Sequence, residues 1–400
     1  MSSPRIKSSL HIGVFSTYVP RECGIATFVR DVVVGIRETL PNAQLTVCAI
    51  SDGEYEYPSE VKYTIRQSER SDYKKAAEFF NQSDVDVVLI QHEFGIFGGF
   101  NGSYLLDFLS VLKKPSIISL HTVPMLPSSR RHVSRVRLLK KITSLVDATI
   151  VTIPSAIRFF VSEGFSAASV QRMYVVPHGA PVVSTALQAR RDTIRTQMDI
   201  SKEQILILTY GLITPKKGIH YALRAMRKVA TKHPNAIYLV AGRMHPYKPK
   251  EYMLKLESYV QKHGLSQQVR FLTRYLEVHE ILELLVATDI YLVPYLTKEQ
   301  VSSGTMAYAV AAGKAIVSTA FAYARDTLGD GRGLLVDFAS SDSIAVAVNK
   351  LIESPDLRHS LAEKTHEFGL SLPWKIVGEG YVAIIEQHRR KNDSNNIGHH

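Results

Sequence analysis

Short apolar runs rich in β-branched residues alternate along most of this chain with amphipathic stretches of helical length. The runs at 10–15, 45–50, 85–91, 116–120, 148–152 and 173–176 are of this kind. Strands that are apolar on both faces belong to parallel sheets covered by helices, so the pattern predicts a first parallel α/β domain. The breaker cluster Pro177-His178-Gly179-Ala180-Pro181 follows, and then polar sequence without a clear strand until 205. That break predicts a domain boundary. The alternation resumes at 205–210, 236–241, 269–272, 290–293, 315–317 and 333–336, a second domain of the same class. The expected organisation is two Rossmann-like domains, 1–182 and 183–372, then a helix over 373–390 and a loose polar tail over 391–400. In such sheets ligands bind beyond the carboxyl ends of the strands, so a cleft between the halves is where chemistry is expected.

Composition narrows the class. A chain of 400 residues, 45% hydrophobic and 21% charged, is long enough for two ordinary cores. Its two cysteines, Cys23 and Cys48, have no metal-ligand spacing and suit a reducing compartment. The start carries no apolar run of signal-peptide length, and no stretch approaches the ~18 apolar residues of a membrane span. A cytoplasmic protein, soluble or peripheral on a membrane, is the expectation. The formal net charge of +11 is partly concentrated in a basic amphipathic helix that starts at Arg130 and continues to about Val146. Such a face either docks on anionic lipid or is simply solvated. Nucleic acid is not expected as a partner, because no binding module or interleaving of aromatic and basic residues accompanies the charge.

Candidate chemistry sits at strand ends. Ser302, Ser303, Gly304 and Thr305 stand where a helix starts after the strand at 290–293, and a helix start offers unpaired N–H groups and a partial positive charge to a phosphate. Gly24 opens the first helix and lets backbone amides approach a phosphate closely. His92-Glu93 and His121 follow two neighbouring strands. A pair of strand-end histidines with a carboxylate points to an acceptor site, where histidine can bond a hydroxyl or share a proton. Asp84-Val85-Asp86 enters a strand, so no loop Asp-x-Asp suggests a metal-held donor, and no metal site is expected.

These motifs resemble the retaining sugar-nucleotide glycosyltransferases of family four, and within it a mannosyltransferase-like group. The resemblance is carried by Cys23-Gly24-Ile25-Ala26-Thr27-Phe28, Gln91-His92-Glu93-Phe94-Gly95, Gly211-Leu212-Ile213-Thr214-Pro215-Lys216-Lys217-Gly218 and Gln300-Val301-Ser302-Ser303-Gly304. It implies the GT-B fold, the last helix crossing back onto the first domain, and a nucleotide-sugar donor, with GDP-mannose favoured and no other cofactor. It implies Lys217 on the donor diphosphate together with Gly24, Ser303, Gly304 and Thr305, His121 near the transferred sugar, and His92 and Glu93 toward a sugar or lipid-linked acceptor. Pro177-His178-Gly179 resembles the hinge segment of that family. In the second domain three family positions differ. Leu212 stands where an arginine neutralises diphosphate, and Arg243 is the candidate replacement. Gln300 and Tyr308 stand where two glutamates hold sugar and ribose, with Glu299 one residue from the first. A phosphorylase on the same fold, or a non-catalytic sugar-nucleotide-binding protein, are the alternative readings.

Overall fold

The computed structural model describes residues 10–125, 130–244 and 251–397. The chain forms two compact units. One runs through Gly179 and takes in the chain again from Trp374, and the other is Ala180–Pro373.

In the first unit seven strands form one parallel sheet. They are β1 (His11–Ser16), β2 (Gln44–Ser51), β3 (Val61–Arg66), β4 (Val87–His92), β5 (Ser116–Leu120), β6 (Ala148–Val151) and β7 (Met173–Val175), in the order β3-β2-β1-β4-β5-β6-β7. The chain starts in the middle, winds outward one way, then returns beside β1 as β4 and winds the other way. Where the winding reverses, the loops after β1 and β4 part and leave a crevice. All six residues of β4 are buried, and its last two, Gln91 and His92, are polar. Buried polar groups at a strand terminus need partners, which draws attention to that end of the sheet.

The second unit repeats this plan with β8 (Ile205–Tyr210), β9 (Ala236–Ala241), β10 (Val269–Leu272), β11 (Ile290–Val293), β12 (Ala315–Thr319) and β13 (Leu334–Val336), ordered β10-β9-β8-β11-β12-β13 and parallel. Its reversal lies between β8 and β11. Asp289 fixes the entry to both strands: it accepts from Arg191 (2.6 Å), Arg195 (3.0 Å) and the Leu206 N–H (2.8 Å). The two arginines come from the helix Arg191–Gln197, inside the segment read above as polar and strandless.

Two further elements differ from expectation. β3, Val-Lys-Tyr-Thr-Ile-Arg, is an edge strand whose exposed positions alternate with half-buried or buried ones, so it has no continuous apolar run to betray it. The last helix, Trp374–Ile397, runs past the expected end near Arg389. It packs on the first helix, Gly24–Thr39, at two glycines. A Cβ on Gly35 would meet the Trp374 carbonyl oxygen at 2.1 Å, and one on Gly378 would meet the Gly35 carbonyl carbon at 2.3 Å. Backbones can cross this closely only where both side chains are absent.

The basic helix is Arg130–Leu145. Val136, Leu138, Leu139 and Ile142 form its buried face, whereas Val133 is exposed. The side chains of Arg130 and Arg131 lie outside the described residues. Arg137, Lys140 and Lys141 are exposed. Arg135 is not part of the solvated face: its guanidinium lies 4.4 Å from the centre of the Phe94 ring and 3.4 Å from Asn101 Oδ1.

Candidate active site

The first unit gathers its polar residues at the carboxyl ends of β1, β4 and β5. Ser16 at the end of β1 donates to the Gln91 carbonyl (3.2 Å), tying the two sides of the reversal together. The Gln91 side chain meets His121 Nε2 at 2.8 Å, and Phe28 presents its ring to His121 edge-on at 4.4 Å. Burial, with His178 and His92 adding to it, holds His121 down to about 3, so at neutral pH it is an uncharged imidazole. It can bond a hydroxyl there but does not titrate near neutrality. His92 is likewise held down by burial to about 3, and neither of its ring nitrogens has a hydrogen-bond partner among the described residues. Its ring lies between Phe94 and Phe97, at 5.0 and 5.4 Å. His178, in the hinge-like segment, packs on Phe28 at 4.9 Å and Trp374 at 5.8 Å and shares a 2.7 Å bond with the Gly179 carbonyl.

Glu93 follows β4 and accepts from the Thr122 hydroxyl and from the Phe94 N–H at 3.0 Å. Burial pushes its carboxyl up from the ordinary range, while Thr122, the backbone amides and the Arg135 charge pull it back. The carboxylate of Glu93 is therefore held by a hydroxyl that sequence reading left without a role. Cys23 caps the first helix, its Sγ accepting from the Ala26 N–H at 3.3 Å. A Cβ on Gly24 would meet no atom within 4 Å, so the protein itself leaves the space over this helix start open.

In the second unit the loop after β8 and the start of the helix Gly304–Ala311 converge. Lys217 lies in a one-turn 3-10 segment, Pro215–Lys217, closed by Gly218 at φ +68°, where an added Cβ would lie 1.9 Å from the Pro294 carbonyl. Only glycine suits both the left-handed backbone and that contact. The Lys217 ammonium sits 3.5 Å from the centre of the Tyr295 ring, and no ion pair to it is found among the described residues. Tyr295 in turn bonds Thr305 Oγ1 at 2.7 Å, and Ser303 Oγ lies 3.4 Å from the same atom. Ser303 caps the helix by accepting from the Met306 N–H, and Gly304 is its first residue. Gly211 joins the two sides: a Cβ there would lie 3.3 Å from Thr305 Cγ2 and 3.9 Å from Lys217 Nζ. The structure thus brings Lys217, Ser303, Gly304 and Thr305 together. It does so through Tyr295, two residues beyond the end of β11.

Arg243 follows β9, two residues beyond its end, on the same rim. Its carbonyl accepts from the Ile213 N–H at 3.0 Å, next to the exposed Leu212, and its guanidinium lies 6.0 Å from the centre of the Tyr275 ring. Gln300 precedes the helix, with its side-chain amide donating to the Ser302 carbonyl at 2.8 Å. Glu299 beside it is half-buried, and Tyr308 is half-buried one turn into the helix. The Asp84–Asp86 segment lies at the opposite end of the first sheet, where Asp86 accepts the His11 N–H at 2.8 Å, a structural role.

Residues 190–368 match the family described as glycosyl transferases group 1. A lipopolysaccharide 1,2-N-acetylglucosaminetransferase of Salmonella typhimurium is 26% identical over 243 residues, covering 59% of this chain and 61% of that protein. A GDP-mannose-dependent monoacylated alpha-(1-6)-phosphatidylinositol monomannoside mannosyltransferase of Corynebacterium glutamicum is 24% identical over 277 residues, covering 66% of this chain and 67% of that one. The chain thus spans about three fifths to two thirds of the length of these relatives. Among solved structures, Anabaena HepE in complex with UDP and glucose superposes with a TM-score of 0.74 at 15% identity, over 94% of this chain and 100% of that one. WaaG, a glycosyltransferase involved in lipopolysaccharide biosynthesis, superposes with a TM-score of 0.64 at 15% identity, over 94% and 99%. The fold is GT-B, two parallel-sheet α/β units, and the second unit carries the stretch, 190–368, that is similar to glycosyl transferases group 1.

Proposed function

We propose that the protein is a retaining hexosyltransferase that takes its sugar, mannose favoured, from a nucleoside-diphosphate donor and passes it to a hydroxyl of a sugar or lipid-linked acceptor. The observation that carries this reading is the meeting of the Lys217 ammonium with the start of the Gly304–Ala311 helix, because an anionic diphosphate is what a lysine and a row of helix-start amides together recognise. Mannose leads because two relatives are named as mannosyltransferases, whereas the solved HepE complexes contain UDP.

In the proposed reaction the bond from the anomeric carbon to the leaving phosphate breaks and the acceptor oxygen forms its bond on the same face. The acceptor proton passes to the leaving phosphate oxygen. Fixed positive groups aimed at the charge developing on that phosphate are the main contribution the protein can make. Lys217 and the amides at Ser303 to Thr305 take this role, with Arg243 as the further cation at the position that Leu212 leaves apolar. No metal is invoked. His121, uncharged at neutral pH, is assigned a hydrogen bond to the transferred sugar, and His92 and Glu93 the acceptor side. Gln300 and Tyr308 replace carboxylates by neutral hydrogen bonding to sugar and ribose.

The experiment is incubation with GDP-mannose, UDP-glucose and ADP-glucose, in the presence of neutral sugar acceptors, with NMR of the product. Release of nucleoside diphosphate together with an α-linked product from an α-linked donor is expected. A β-linked product contradicts retention, and release of sugar 1-phosphate dependent on inorganic phosphate identifies a phosphorylase.

A further inference from the structure

The first unit contains a second recess that the proposed reaction leaves unused. It is an open crevice of about 1000 Å³ at the carboxyl ends of β2, β3 and β4, beginning at Phe94 and Gly95, the two residues that follow Glu93. That size is at the upper end of small-molecule sites, roughly 300–1,000 Å³, and exceeds what a single reacting hydroxyl requires.

Its wall is built rather than incidental. Arg21 is buried and spans three partners: the Ile50 carbonyl (3.0 Å), Gln67 Oε1 (2.8 Å) and Asp52 (2.9 Å). Gln67 uses its other end to donate to the Gly95 carbonyl (3.0 Å), which ties the end of β3 to the loop after β4. A fan of hydrogen bonds of this kind fixes polar groups in place and lowers the cost of ordering them on binding. Phe97 and Tyr104 add ring surface. The charges in the crevice are balanced. Arg21 is paired with Asp52, Arg66 is paired with Asp72 at 2.8 Å, and Glu54 adds an exposed acid. An anionic ligand would need an uncompensated cation here, whereas a polyhydroxylated neutral one needs fixed donors and acceptors beside apolar ring faces.

We infer that this crevice seats the body of the acceptor and that the acceptor is an uncharged oligosaccharide, its reacting end at Glu93 and its further sugar units running toward Arg21 and Gln67. The inference deepens the transferase reading and rests on it.

Gly95 supplies the test. It lines the crevice, its backbone is not left-handed, and a Cβ there would meet no atom within 4 Å, so a side chain can be added at this lining position without strain. Ligand-detected NMR on the full chain is run with mannobiose, maltose, cellobiose and mannose 6-phosphate, on the parent and on Gly95→Ala, Gly95→Leu and Gly95→Phe. The parent is expected to bind at least one neutral disaccharide and to prefer it to the sugar phosphate. Affinity should fall progressively from alanine to phenylalanine, by on the order of tenfold or more at the larger side chains. Nucleoside diphosphate binding, read in the same samples, reports on the second unit and on folding. Binding of none of the disaccharides, preference for the phosphate, or equal disaccharide binding by Gly95→Leu overturns the inference. Loss of nucleoside diphosphate binding by the parent would instead overturn the transferase reading, whatever the crevice does.

Discussion

Lys217 and Glu93 are opposite cases of a charged side chain at a strand end. Lys217 holds its charge over a ring at the rim, with the nearby hydroxyls of Thr305 and Ser303 unable to neutralise it. A hydrogen-bonded contact to a charged group is worth about 1.5–3 kcal/mol, so Lys217→Ala should weaken a nucleoside diphosphate by roughly 10- to 100-fold and leave the bare nucleoside unaffected, as calorimetry can read. Glu93 is held up by burial, so its ionised form at neutral pH is a cost to the fold. Glu93→Gln should therefore match or exceed the parent in stability at pH 7. Below the ordinary carboxyl pKa of about 4.3 both side chains are neutral, and the difference should vanish in denaturant melts. The histidines have the opposite slope. His92 and His121 take up protons in the unfolded chain below about pH 6.5 and in the folded chain only near 3, so stability falls across that window by about 1.4 kcal/mol per unit for each group that titrates. His92→Phe removes one such group from a ring-lined pocket and should flatten the acid limb of the stability profile. An unchanged limb would show that His92 finds a proton partner in the folded state.

At the scale of elements, glycines separate packing from ligand access. Gly35 and Gly378 lie where two helices cross with no room for a Cβ, and alanine at either should cost about 1–3 kcal/mol in denaturant unfolding. Gly24→Ala, where a Cβ meets nothing, should leave stability alone, and any effect should appear only in ligand binding. Among the described residues, twelve of the thirteen strands were legible because each is a short apolar run, and most of them are buried on both faces. β3 was not, since an edge strand with a solvated face looks like any polar alternation. Lys217 and Ser303 were legible because local turn and cap chemistry marks strand-to-helix junctions. Tyr295 under the lysine, Thr122 on Glu93 and Arg135 over Phe94 were not, because each depends on contacts between elements far apart in sequence. The same holds for the crevice wall, where Arg21, Asp52, Gln67 and Gly95 meet from four loops.

For the whole molecule, the net charge of +11 remains to be placed against a partner. Among the described residues no helix is long and apolar enough to cross a membrane. Arg137, Lys140 and Lys141 form an exposed basic face, and each such residue near an anionic surface contributes about 1 kcal/mol, weakened by salt. If the acceptor is lipid-linked, the protein should co-sediment with anionic but not neutral vesicles, and replacing these three by glutamine should abolish this. Arg135 is excluded from that substitution because it packs on Phe94 beside Glu93. No sedimentation of the parent at low salt would make the face a solvated one and favour a free sugar acceptor. The central claim, that the second unit binds a nucleotide sugar through Lys217 and the Gly304–Ala311 helix start, is tested most directly by calorimetric titration of GDP-mannose, UDP-glucose and ADP-glucose into the parent and into Lys217→Ala. Saturable binding of one donor by the parent, weakened at least roughly tenfold in Lys217→Ala with the fold intact by circular dichroism, is the predicted result. Equal binding by both proteins, or no binding of any donor by the parent, would contradict it.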